Sequence, residues 1–246
     1  LGSFAASIVK RDVDRQRIAH GRLTVRQAEK LAKKARIPFG YLFLDRPPEA
    51  DQQTIPDLRQ VQGAEPLSAD FYETLEDVLA KQEWFAEYLS DAGAAERPFV
   101  GRFKDKAKVT ASEVAADIRE VLGFDDNVRR SSPDATAYFS AISGKAEAQG
   151  VLVFKTGYVK ANTHRPLSER EFRGFAIADP MVPVVFVNGR DAEVAAVFTL
   201  MHELAHIWLG VTGVSDVFYG RFGSPTEQLC NRVAADLLVP VDALMA

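Results

Sequence analysis

Apolar positions recur with a helical period in several stretches of the chain. From 24 to 37, Val25, Ala28, Leu31, Ala32 and Ala35 fall on one face. Thr24 is the expected N-cap, and Pro38 and Gly40 end that helix. Tyr41-Leu42-Phe43-Leu44 reads as a short apolar anchor, and Pro47, Pro48 and Pro56 then mark a linker. A long helix is expected over 68–92, where Phe71, Leu75, Val78, Leu79, Trp84, Phe85, Tyr88 and Leu89 keep helical spacing. Its aromatics Phe71, Trp84, Phe85 and Tyr88 are expected in the core. Thr110 and Glu113 are spaced as a capping box at the head of a helix over 110–122, and another helix is expected over 135–149. Gly150 opens a strand at 151–154, with further strands over 172–178 and 182–187 and a turn at Asn188-Gly189. The run at 182–187 is apolar throughout, which fits an interior strand; an edge offered to an extended substrate is the alternative. A strongly apolar helix over 191–209 is closed by Gly210, and a helix over 226–239 is stopped by Pro240. Helices, then strands, then helices argue an α+β fold.

That pattern divides the chain into a helical N-terminal region (1–46), a linker (47–67) and a larger domain (68–246). Hydrophobic residues make up 47% and charged residues 26%, which excludes collagen-like and low-complexity classes. Cys230 is the single cysteine, so an intrachain disulfide and a disulfide-rich secreted scaffold are excluded. The first ten residues do not form a signal peptide, and no stretch approaches the ~20 apolar residues of a membrane span. The expectation is a reducing, cytoplasmic protein with no membrane partner. The net charge of −4 is uneven: residues 1–37 hold ten Lys and Arg against three acids, which leaves 20 against 31 elsewhere. A solvated helical face accounts for the basic end, and a nucleic-acid arm is the sharper alternative. His20 lies in that region and is expected to be exposed.

The chemistry is concentrated in one motif. His202-Glu203-Leu204-Ala205-His206 is an H-E-x-x-H inside the 191–209 helix. Residues four apart share a helix face, so both imidazoles can serve one metal. Glu203 is placed to accept a proton from a water that such a metal activates, as in peptide hydrolysis. Positions 209 and 212 are Leu and Thr, not the Gly and His of the metzincin continuation. A third ligand must come from elsewhere. Glu227, at the head of the next helix and above a stripe of Cys230, Ala234 and Leu237, is the expected choice. Cys230 and Asp216 stay open as alternatives, and helix-dipole stabilisation is the plainer role for Glu227. Candidate donors to a developing oxyanion are His164, Tyr158, Arg173 and Tyr219.

The segment Phe198-Thr199-Leu200-Met201-His202-Glu203-Leu204-Ala205-His206-Ile207-Trp208-Leu209-Gly210 resembles the active-site helix of ImmA/IrrE-type metallopeptidases. Residues 227–240, from Glu227 to Leu237-Leu238-Val239-Pro240, resemble that family's second helix, and 172–175 and 183–188 resemble its two preceding strands. Leu23 to Asp45 and 55–59 resemble the stretch after a Cro/repressor-type helix-turn-helix in its longer members, of which only the last part is discernible here. The chain stops soon after Pro240, where such proteins often continue, so a partial or trimmed chain is expected. The resemblance implies a zincin-like α+β peptidase domain with a small antiparallel or mixed sheet. It implies Glu203 as general base, with His202, His206 and Glu227 holding zinc and manganese the alternative metal. It further implies cleavage of a helix-turn-helix repressor or antitoxin that controls phage, mobile-element or stress genes. A toxin of a toxin–antitoxin pair, and a non-catalytic protein that binds a repressor or DNA, are the alternative functions.

Overall fold

A computed structural model describes residues 9, 11–35, 39–46, 55–58, 67–106, 108–215 and 224–239, the side chains of Ala19 and Ala35 excepted. The chain divides into two compact units, Leu1–Gln52 and Gln53–Ala246. In the first, α1 (Asp12–Ala19) and α2 (Val25–Ala35) are followed by a 3-10 turn over Phe39–Phe43. Thr24 caps α2 as expected: its hydroxyl accepts from the Gln27 N–H at 3.3 Å, and Gln27 returns the bond to the Thr24 N–H at 2.9 Å. Ile18 and Ala32 are buried, whereas Tyr41, Phe43 and Leu44 are exposed, so the expected apolar anchor does not pack as a core element. His20 is exposed.

The second unit holds α3 (Ala69–Asp91), α4 (Ala111–Leu122), α5 (Asp126–Ser131), α6 (Ala135–Ala148), β1 (Leu152–Thr156), β2 (Gly174–Ile177), β3 (Val184–Asn188), α7 (Glu193–Leu209), β4 (Gly213–Ser215) and α8 (Pro225–Leu238). The four strands form one mixed sheet in the order β1-β3-β2-β4. β1 runs parallel to β3, while β2 is antiparallel to both β3 and β4, with Phe175 opposite Phe186 and Gly174 opposite Ser215. β3 is buried along its whole length between two neighbours, so the edge alternative for 182–187 falls and the interior one stands. Side chains alternate across the sheet. Ala176, Val185 and Val187 face a core built with α4, α6, α7 and α8, and Phe175, Ile177, Val184 and Phe186 face a second core under α3.

Two expectations need correction here. Trp84 and Tyr88 are 68% and 60% exposed, so they do not belong to the core; they stack on each other along the outer side of α3. Their helical spacing reflects the helix, while the face that meets the sheet is carried by Phe71, Leu75 and Val78. Within the stretch read as a linker, residues 56–58 lie against β4. The Val214 N–H donates to the Pro56 carbonyl at 2.9 Å, and the Leu58 N–H donates to the Val214 carbonyl at 3.0 Å. Among the described residues, no helix is long and apolar enough to cross a membrane.

Candidate metal centre

α7 runs through the middle of the larger core, and fourteen of its seventeen residues are buried. Its sequence is apolar nearly all round, the composition of a helix enclosed on every side. Its last turn is closed from outside: the Gly101 N–H donates to the Ile207 carbonyl and the Phe103 N–H to the Trp208 carbonyl. The chain then reverses at Gly210, whose φ of +68° and closeness to Gly101 both exclude a side chain. The turn sends it into β4 and on toward α8.

α8 begins at Ser224, whose hydroxyl accepts from the Glu227 N–H at 3.2 Å. That cap orients the first turn and places Glu227 over α7. Glu227 Oε2 lies 3.2 Å from His202 Nε2, Glu227 Oε1 lies 3.1 Å from His206 Nε2, and the two Nε2 atoms are 3.0 Å apart. All three residues are buried. Two ring nitrogens and a carboxylate facing one another in the core are a donor set suited to a cation. Three ligands held ~2.0–2.1 Å from one ion in tetrahedral directions would themselves lie about 3.3 Å apart, so the donor set fits a metal by both chemistry and spacing.

The electrostatics agree. Burial works to raise the Glu227 carboxyl, but its contacts with His202 and His206 outweigh this and bring its pKa down to about 2. Burial depresses His202, and the neighbouring His206 adds to the effect, against the pull of Glu227. The site therefore favours an anionic carboxylate and a neutral imidazole at position 202, the states a metal requires. Glu203 is completely buried beside them, and burial pushes its carboxyl well above the usual range, with the Glu227 charge adding to the rise and a bond from Ser215 opposing it. Its Oε1 accepts from the Ser215 hydroxyl at 2.5 Å. Its Oε2 is buried with no hydrogen-bond partner among the described residues.

Residues 146–246 match the family model Peptidase_M78, described as the IrrE N-terminal-like domain. That segment is therefore similar to the IrrE N-terminal-like domain of a peptidase family. The M78 match takes in β1 to β4, α7 and α8, and with them every residue of the cluster. It starts well after the helices of the first unit, so a helix-turn-helix is not part of the finding. Neither the curated proteins nor the solved structures give a match.

The matched segment thus draws His202, Glu203, His206 and Glu227 together. Cys230 is buried one turn after Glu227, but its sulfur is not one of the converging ligand atoms, and burial holds its thiol well above the ordinary range. Asp216 and Tyr219 lie outside the described residues. Arg173 pairs with Asp191 at 3.0 Å, just ahead of α7 and three turns before His202. His164 is exposed in the loop after β1, and Tyr158 makes an isolated bridge to Pro166. Two contributors were missed from sequence. Ser215 sits in a three-residue strand too short to show a period, and Gly174 matters only for the space it leaves over Glu203.

Proposed function

We propose that the chain is a zinc-dependent endopeptidase of the cytoplasm that cuts a partner protein at a limited site. A helix-turn-helix repressor or antitoxin is the favoured substrate. The observation that carries the reading is the convergence of His202, His206 and Glu227 beside the buried Glu203, whose Oε2 has no hydrogen-bond partner among the described residues. The M78 match supports the peptidase class, and the ImmA/IrrE resemblance supports the repressor class.

His202, His206 and Glu227 would hold the metal, which supplies Lewis acidity toward a water and a scissile carbonyl. Glu203 would accept a proton from a water as an O–H bond breaks, and the electron pair left on that oxygen would bond to the carbonyl carbon while the C=O π pair moves onto the carbonyl oxygen. Glu203 would then deliver that proton to the leaving amine nitrogen as the oxygen's pair re-forms the C=O bond and the C–N pair departs with nitrogen. The apolar wall of α7 keeps bulk water from Glu203 and strengthens the electrostatic interactions within the site.

A second reading rests on the basic first unit, which would let the protein act by binding a repressor or DNA without cutting. One experiment separates the two. Wild type and Glu203→Gln are each co-expressed with a helix-turn-helix repressor, and the repressor is examined by intact mass. Wild type is expected to yield two fragments from one cut, and Glu203→Gln none at equal metal content, a rate loss of roughly a hundred- to ten-thousand-fold. Equal cleavage by both, or repressor binding without cleavage by both, would overturn the peptidase reading.

A further inference from the structure

We propose that Ser215 is the positioning residue for the general base: its hydroxyl fixes Glu203 Oε1 and so selects Oε2 as the atom that accepts the proton. This rests on the peptidase reading. The Ser215 hydroxyl donates to Oε1 at 2.5 Å, and both side chains are fully buried. With Oε1 engaged and Oε2 unpartnered among the described residues, the two oxygens of one carboxylate have different roles. A buried acceptor left without a donor is costly unless something else uses it, and the chemistry of the adjoining cluster supplies that use.

The restraint comes from the sheet and not from the helix that carries Glu203. Ser215 is on β4, opposite Gly174 of β2. A Cβ at position 174 would lie 2.8 Å from Glu203 Oε1, 2.7 Å from Thr199 Cγ2 and 2.8 Å from the Phe186 carbonyl. The carboxylate therefore reaches Ser215 only because a glycine leaves the way open. β4 is itself held on its other side by residues 56–58. A Cβ at Gly213 would meet Leu58 Cδ1 at 2.4 Å, so a second glycine lets this segment close against the strand. Glu203 is thus clamped between a helix and a strand fixed on both sides, which preorganises it within a narrow range of positions.

Binding of acetohydroxamate to the zinc-loaded full chain tests this without a peptide substrate, since such a ligand meets both the metal and the base. Wild type, Ser215→Ala, Glu203→Gln and the double variant are compared, with zinc content and thermal midpoint measured for each. Ser215→Ala is expected to keep its zinc and bind the hydroxamate about tenfold or more weakly. In the Glu203→Gln background the same substitution should change binding by less than about twofold, because the serine acts through the carboxylate. Equal losses in both backgrounds, or no loss in either, would overturn the positioning role while zinc binding left the peptidase reading intact. No zinc in wild type would overturn both together. Should Ser215→Ala not fold, Ser215→Cys keeps the volume, weakens the donor and is expected to show the same non-additivity.

Discussion

Two helices of this protein begin with the same short signature and use it differently. Thr110 and Glu113 open α4, and Ser224 and Glu227 open α8. In both, the hydroxyl accepts from the N–H three residues on. At α4 the glutamate returns the bond: Glu113 Oε2 accepts from the Thr110 N–H at 2.8 Å, and the box closes on itself in solvent. At α8 the glutamate does not turn back; its carboxylate goes to His202 and His206 in the core. Both carboxyls titrate below the ordinary value, Glu113 through the Thr110 backbone bond and Glu227, against burial, through the histidines. The same motif is a local cap in one place and the link between two helices in the other.

The sharpest way to break this comparison is to remove each glutamate in turn. Glu227→Gln should lower apparent metal affinity by at least about a hundredfold, whereas Glu113→Gln should leave it unchanged; competition with a chromogenic chelator measures both. Next comes the core in which the site is set. Leu204→Ala, in the buried stretch of α7, should cost about 2–5 kcal/mol, while Trp84→Ala, on the open side of α3, should stay within about 0.5 kcal/mol in urea melts.

The pH dependence follows with its own sign. A carboxyl held at about 2 in the folded chain, against an ordinary 4.5, stabilises the fold above about 4.5 and loses that contribution as the pH falls toward 2. Thermal midpoints of metal-free wild type should fall through that window, and Glu227→Gln should give a flatter profile. The smallest effect concerns the caps themselves. Thr110→Ala and Ser224→Ala should each cost about 1 kcal/mol, and only the second should also weaken metal binding, because only its helix aims a ligand.

The sequence made α7 and the histidine pair legible, and the helix opened by Glu227 with them, because each depends on spacing within one segment; the Ser224 cap appears only in the structure. His202 and His206 are one turn apart, and that turn alone places both rings on a common face. The position of Glu227 depends on how α8 packs over α7, which local spacing could only suggest, so Cys230 and Asp216 stayed open beside it. Ser215 was illegible for a stronger reason. Its role arises from the pairing of β4 with β2 and from the space over Gly174, neither of which has a periodic signature. Trp84 and Tyr88 misled because helical spacing identifies a helix but not which face of it is covered.

The central claim is that His202, His206 and Glu227 form one metal centre. Elemental analysis of wild type, His202→Ala, His206→Ala and Glu227→Ala, each purified and then dialysed against limiting zinc, tests it most directly. About one zinc per wild-type chain, lost in all three variants, is the expected result. A wild-type chain that takes up no metal, or three variants that hold zinc as tightly as wild type, would contradict it.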